Sequence, residues 1–337
     1  MFAKIKSFLP DGYVLAILGT VVLASVLPAR GWAVRPFDIA TDVLITLLFF
    51  LHGAKLSREA VIQGLGHWRL HLLVLGSTFI LFPILGLLTR AAAAPFLEPS
   101  LTAGLIFLCL LPSTVQSSIA FTAVGRGNVA AAVCAASASN LLGIFITPLL
   151  VHLLMPEAGA ADATGGALKQ VEAISLQLLL PFLLGHLSRP LTAGWLGRRK
   201  ALVGLVDRGS ILFVVFTAFS AAVVGGLWTR LSAADLFGVL LASLLILIVA
   251  LAATTAAARA LGFKREDEVA IVFCGSKKSL ASGVPMAGVL FPAAAVGPMI
   301  VPLMLFHQIQ LMACAVLARR YAAKADAEEE ATTGVDL

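Results

Sequence analysis

Two short stretches hold the residues best suited to chemistry. One is Leu110-Leu111-Pro112-Ser113-Thr114-Val115-Gln116-Ser117-Ser118, where hydroxyls and an amide crowd behind a proline. The other is Cys274-Gly275-Ser276-Lys277-Lys278-Ser279-Leu280-Ala281-Ser282-Gly283-Val284-Pro285, with two adjacent lysines among serines, glycines and a proline. Hydroxyls, amides and ammonium groups of this kind bind ions or small polar solutes. No Ser/His/Asp set, metal cluster or Gly-rich phosphate loop accompanies them, so enzyme chemistry is not expected. His67 and His71 have the i,i+4 spacing of a metal pair but no third ligand nearby, so no metal site is expected.

Both stretches interrupt long apolar runs. The chain of 337 residues is 60% hydrophobic and 12% charged, against about 25% charged in a typical soluble domain. A soluble fold cannot hide that much apolar surface, so the first partner is the lipid bilayer. Only helices and closed barrels satisfy their backbone in lipid. The runs here are continuous rather than alternating, which points to an all-α integral membrane protein. At about 20 residues per span, ten segments fit: roughly 12–28, 36–54, 68–90, 100–125, 128–153, 168–187, 204–228, 235–261, 267–291 and 294–320. Lys4 and Lys6 ahead of the run Tyr13 to Leu27 are signal-like. Bulky Arg30-Gly31-Trp32 follows instead of a small-x-small site, so the run reads as the first span.

The net charge of +6 does not mark a nucleic-acid binder, because the basic residues are scattered through short loops and no binding module is present. It reads as an orientation signal. Seventeen of the 24 Lys and Arg residues fall on the N-terminal side, among them Lys55, Arg126, Arg199, Arg265 and Arg320. Arg30, Arg35, Arg90, Lys169 and Arg230 fall on the other side. The bias predicts cytoplasmic termini in a plasma membrane of bacterial inner-membrane type. Residues 1–155 and 156–321 then form two five-helix repeats, which an odd span number forces into opposite orientations. The polar segment 322–337, with Glu328-Glu329-Glu330, is expected to be a disordered cytoplasmic tail. Cys109, Cys134, Cys274 and Cys314 lie inside apolar runs without CxxC spacing and read as packing residues.

The two interruptions fall in the fourth span of each half. Broken backbone is tolerated there only if it is buried in protein or lines a water-filled cavity, and paired breaks mark transporter binding sites. Kinks and packing contacts are the plainer account of a single break; two in corresponding positions favour a site. Lys277 and Lys278 sit about ten residues, or roughly 15 Å, beyond the charged cluster Lys264 to Glu268, near the midplane. A charge there costs about 2.5–3.5 kcal/mol on insertion scales. Adjacent helical residues point about 100° apart, so one can face the cavity while the other snorkels. Asn140, beside Ser137 and Ser139, reads either as an interhelical bond or as support for the site. Asp38, Asp42 and Asp207 read as capping or interfacial residues at span starts.

Pro112-Ser-Thr-Val-Gln-Ser117-Ser118 followed by Arg126-Gly127-Asn128-Val129 resembles the bile acid:sodium symporter family, which has a Pro-Gly-Gly-x-x-Ser-Asn break and an Arg-Gly-Asn-like turn. Phe49-Phe50-Leu51-His52-Gly53-Ala54-Lys55-Leu56-Ser57 is similar to its divergent, symporter-like cation-transporter branch. The resemblance implies two inverted five-helix repeats with crossing broken helices 4 and 9. Spans 3–5 and 8–10 would form a core, and spans 1, 2, 6 and 7 a panel against which it moves.

The departures alter the implied chemistry. Sodium-coupled members carry a Glu-Val-Gly-Met-Gln-Asn-like motif in the ninth helix. Here Phe273 stands at the acidic position and Lys277-Lys278 at Gln-Asn, while Ser117-Ser118 replaces Ser-Asn. An ammonium has no lone pair to offer a cation. At 4 Å it repels one by about 4 kcal/mol at an effective dielectric of 20, enough to eject a cation of about millimolar affinity. Sodium is therefore a disfavoured cofactor, and no other is expected. A lysine would stand in sodium's place, and one that lost and regained its proton would link transport to protons.

The expected function is a secondary transporter of a small organic anion, with an inorganic ion as the other possible solute. The expected site is Thr114, Gln116, Ser117, Ser118, Asn128, Ser276, Lys277, Lys278 and Ser279, supported by Ser137 and Asn140. A cation/proton exchanger and a non-transporting regulator of membrane ion handling remain as alternatives.

Overall fold

The computed structural model describes residues 12–55, 67–156 and 175–333. Among them every regular element is helical. In chain order they are α1 (Gly12–Val26), a 3-10 turn, α2 (Val34–Lys55), α3 (Trp68–Gly76), a π turn (Ser77–Leu81), α4 (Phe82–Ala93), α5 (Pro99–Leu110), α6 (Gln116–Val124) and α7 (Val129–Leu154). After a second π turn come α8 (Leu180–Arg198), α9 (Lys200–Val224), the short α10 (Leu227–Arg230), α11 (Ala233–Ala260), α12 (Arg265–Gly275), α13 (Leu280–Leu290) and α14 (Ala293–Thr333). Among the described residues six helical stretches are long and apolar enough to cross a membrane: Gly31–Lys55, Trp68–Ala93, Val129–Leu154, Lys200–Val224, Ala233–Ala260 and Ala293–Glu328. Lys4, Lys6 and Lys169 lie outside the described residues, as do residues 157–174 at the start of the second expected repeat.

The two polar stretches interrupt helices where expected. α5 and α6 are 12 and 9 residues long, and α12 and α13 are 11 each, about half of what a span needs. Pro112 causes the first break. It cannot donate to the helix, and it holds Leu111 extended at φ −75° and ψ 156°, as residues before proline are held. In the second, Ser279 is extended at ψ 110° and its side chain caps α13 by accepting from Ser282 N–H.

The segment expected as one span over 68–90 is α3 and α4 joined by the π turn. Phe82 N–H bonds the Ser77 carbonyl, five residues back. Pro83 follows and has no N–H. The Thr78 carbonyl therefore loses both of its usual local donors, which matters for the site.

α2 and α8 run in the same direction at backbone contact, with Gln177 just ahead of α8 bonding Asp42 early in α2 at 3.1 Å. A Cβ on Gly53 would lie 1.9 Å from the Phe182 carbonyl oxygen, and one on Gly185 would lie 2.0 Å from that of Phe50. Small residues allow such approach in membrane bundles. Phe37 stacks on Phe213 at 5.2 Å and joins α2 to α9.

Three expectations change. The tail from Ala322 is helical as far as Thr333, because α14 is tied down beyond its apolar part. Tyr321 Oη donates to Glu268 at 2.7 Å, Arg126 pairs with Asp326, and Arg265 pairs with Glu328 at 3.3 Å. Asp207 is not at a helix start; it lies inside α9 and forms an ion pair with Lys55 of α2. Neither Lys277 nor Lys278 snorkels, since both are fully buried at 0% exposure. All four cysteines are buried thiols, as expected of packing residues.

Gly53→Ala should lower the melting temperature of the detergent-purified protein markedly, because backbone rather than a flexible side chain blocks the methyl group. Gly204→Ala, with nothing within 4 Å of its Cβ, should be neutral or stabilising by up to about 1 kcal/mol. Equal melting of Gly53→Ala and wild type would show that this contact is loose.

Candidate functional site

The breaks expose backbone groups that no helix satisfies, and the two broken helices supply one another's partners. A helix ends with carbonyls that lack N–H donors and with the negative end of its dipole. At the end of α12 these carbonyls receive hydroxyls. Ser118 donates to Phe273 O at 2.8 Å, Ser113 to Cys274 O, and Ser77 to Gly275 O at 2.7 Å. At the end of α5 the Leu110 carbonyl takes the Thr147 hydroxyl at 2.8 Å. Its neighbours Cys109 and Leu111 take an ammonium: Lys278 Nζ donates to Cys109 O at 2.9 Å and to Leu111 O at 2.6 Å. The third Lys278 proton goes to Thr78 O at 2.8 Å, the carbonyl freed by the π turn and Pro83. The Phe82 ring lies under Nζ, 4.2 Å from its centroid.

Lys278 is thereby saturated, since an ammonium has three donors and no acceptor. Its backbone is fixed as well. Gln310 of α14 accepts from Lys278 N–H and donates to Lys278 O, both at 2.9 Å, and lies 2.9 Å from His307 Nδ1. The crossing closes with Ser279 N–H donating to Pro112 O at 2.9 Å.

Lys277 is held differently. Its hydrogen bond to Ser117 Oγ is long, 3.4 Å. Otherwise the ammonium lies over aromatic rings, 4.4 Å from the Phe121 centroid and 5.5 Å from that of Phe273. Phe273, at the position where the resemblance implies an acidic residue, is fully buried and supplies the second ring.

Asn140 braces the other side of the crossing. It donates to Ser113 O at 2.6 Å and accepts from Ser282 Oγ at 2.7 Å, while Ser139 Oγ accepts from Ser113 N–H at 3.0 Å. Both breaks are thus tied to α7.

Of the residues expected at the site, Thr114, Ser117, Ser118, Asn140, Ser276, Lys277, Lys278 and Ser279 come together. Ser276 Oγ donates back to Val272 O at 2.6 Å. Gln116 is exposed at the start of α6. Ser137 is half-buried, whereas Ser139 is the serine that bonds the break. Asn128 lies elsewhere: it caps α7 by accepting from Ala131 N–H at 3.0 Å and donates to Asp267 Oδ1 at 2.8 Å. It joins the starts of α7 and α12, more than two helical turns from the crossing. Sequence reasoning missed Thr78, Ser77, Thr147, Phe82 and Phe121. Pro83 was the available signal for the freed Thr78 carbonyl; the others are ordinary residues that only packing brings near. No group of three or more His, Cys, Asp or Glu side chains gathers to hold a metal among the described residues.

Residues 11–323 match the model of the SBF-like CPA transporter family. An uncharacterized protein of Pseudomonas aeruginosa is 58% identical over 95% of each chain. The Escherichia coli protein named "Putative symporter YfeH" is 55% identical over 92% of each chain. Sodium/bile acid cotransporter 7 of Danio rerio is 27% identical over 91% of this chain and 92% of its own length.

Lys278→Met should leave the Thr78, Cys109 and Leu111 carbonyls buried without donors, at about 1–3 kcal/mol each. Lys278→Arg should fare little better, because a planar fork cannot point at three carbonyls arranged around an ammonium. Both variants should melt well below wild type in detergent or fail to yield monodisperse protein. Wild-type melting of Lys278→Met would refute the tether.

Proposed function

The chain belongs to the SBF-like CPA transporter family, and from that premise we propose that it moves a small organic anion by alternating access, with Lys278 occupying the place a bound cation would take. It is an integral membrane transporter and not an enzyme. The observation that carries the finer reading is the Lys278 ammonium on three backbone carbonyls. Carbonyl oxygens at helix C-termini are ligands that suit a sodium ion. Here a covalently attached cation already uses them, and a second cation beside it would be repelled.

The same electrostatics favour an anion. The N-cap of α13 is joined to the break ahead of α6 by the Ser279 N–H bond to Pro112 O, and helix N-termini attract negative charge. Lys277 adds a formal charge held against a hydroxyl and two rings. Exposed Gln116 and half-buried Ser117 stand at the start of α6, where an anion could reach that charge.

On this reading the helices make ten spans: α1, α2, α3–α4, α5–α6, α7, α8, α9, α11, α12–α13 and α14. The first five and the last five form inverted repeats, with both termini cytoplasmic. The bonds of Ser113, Ser118 and Lys278 between the broken helices support their moving as one core. The Gly53–Gly185 contact supports α2 and α8 as a rigid part of the panel.

A ligand that binds the folded state raises the melting temperature by mass action, so the ion question needs no known substrate. Purified protein should melt at the same temperature in sodium, potassium and choline salts. A saturable stabilisation by sodium would overturn the lysine-for-sodium reading. Proteoliposomes screened with small mono- and dicarboxylates should show uptake of at least one. Cation-driven pH change without any carboxylate would point instead to a cation/proton exchanger. Ligand-dependent stabilisation without flux would point to a regulator.

A further inference from the structure

The two lysines are neighbours in sequence, but their environments are not equivalent. Removing one proton from Lys278 would leave one of its three buried carbonyls without a donor. Removing it from Lys277 would cost only the charge assistance to one long hydrogen bond and the cation–ring attraction of two rings. Rested on the anion-transport reading, this difference has a mechanistic counterpart: we propose that Lys277 is the exchangeable charge of the transport cycle, binding the anion when protonated and releasing it when neutral, and that the hydroxyls of Ser117, Thr114 and Ser118 transmit its charge state to the helix crossing.

The hydroxyl chain is polarised, and its direction follows from donor counting. Ser118 has one hydroxyl proton, which it donates to Phe273 O at 2.8 Å. In the 2.9 Å contact between Thr114 and Ser118, Thr114 must then be the donor. Thr114 has no second proton, so in its 2.8 Å contact with Ser117 the donor is Ser117. Ser117 is left with lone pairs, and it accepts from Lys277 Nζ. The chain therefore runs from the ammonium through three hydroxyls to a carbonyl at the negative end of α12. Every link presents an acceptor toward Lys277, which suits the charged form.

A neutral amine reverses the first link. Its proton leaves to water on the Gln116 side, and its lone pair can then accept the Ser117 O–H. Ser117 stops donating to Thr114, which loosens the Thr114–Ser118–Phe273 linkage between α6 and α12. No bond other than N–H breaks, and the proton travels with the anion. The titratable and charged groups around Lys277 are Cys274 of α12, Cys314 and His307 of α14, and Lys278 beside it. None is an acid that would hold the ammonium permanently charged.

The test uses the full chain. Melting temperature is followed from about pH 6 to 9 in detergent for wild type, Lys277→Met and Lys277→Arg, since a titrating buried group makes stability pH-dependent. The wild-type profile should vary, and both variants should lose most of that variation, Arg because it stays charged. In proteoliposomes containing a pH dye, carboxylate uptake by wild type should carry protons, and each variant should reduce that uptake by about tenfold or more. Ser117→Ala and Thr114→Val should shift the pH profile of uptake while leaving uptake measurable, which a purely structural role would not do. If Lys277→Met and Lys277→Arg retain the wild-type pH profile and proton-linked uptake, the assignment to Lys277 is wrong while the transporter reading stands. If wild type moves no carboxylate, the transport reading falls, and the melting profiles still decide whether Lys277 is the exchangeable charge. Should Lys277→Met not fold, Lys277→Arg carries both measurements.

Discussion

The structure depends on finding hydrogen-bond partners for backbone that is broken inside an apolar bundle. A helix interior satisfies its own N–H and C=O groups; a broken helix cannot, and water is not there to help. Each break leaves carbonyls at the end of one half-helix and N–H groups at the start of the next. Those carbonyls bring α6, α7, α14 and the π turn to the crossing, because each supplies a donor or holds one in place. Without them neither α5–α6 nor α12–α13 could remain interrupted at this position.

The two breaks resemble each other in outline and differ in their solution. The end of α12 is satisfied by hydroxyls from Ser77, Ser113 and Ser118. The end of α5 is satisfied largely by the Lys278 ammonium. A hydroxyl and an ammonium are both donors, but the ammonium brings three protons and a full charge to carbonyls that already lie at the negative end of a dipole. That choice ties the crossing to α3 and α4 through Thr78. The long helix α14 completes the frame. Gln310 grips the Lys278 backbone, and the far end of α14 is anchored by Tyr321 to Glu268 at the start of α12.

Much of this was legible in the residues. Composition alone required a membrane, and Pro112 marked the first break. Gly275 together with Lys277-Lys278 marked the second, since two charges amid an apolar run cannot continue an ordinary lipid-facing helix. The hydroxyls of Thr114, Ser117 and Ser118 were identified for the same reason. The helical tail was less legible, because its alanines and charges read as solvated until Arg126 and Arg265 are seen to meet Asp326 and Glu328. Asn128 looked like a site residue from its place after the break. Its actual work is a cap, a role that depends on where α7 begins.

What the sequence determined by itself is the class of solution: a helical membrane protein with two polar interruptions and a buried cation. These follow from local chemistry, from which residues can sit in lipid and which cannot continue a helix. The division between the two lysines came from packing alone. Both are buried, both carry one charge, and neighbouring positions give no reason to prefer either. The difference arises because Lys278 meets three carbonyls from distant stretches, at residues 78, 109 and 111, whereas Lys277 meets two rings and a serine. Partners so far apart along the chain come together only through packing, which is why local sequence could place the charge but not assign its role.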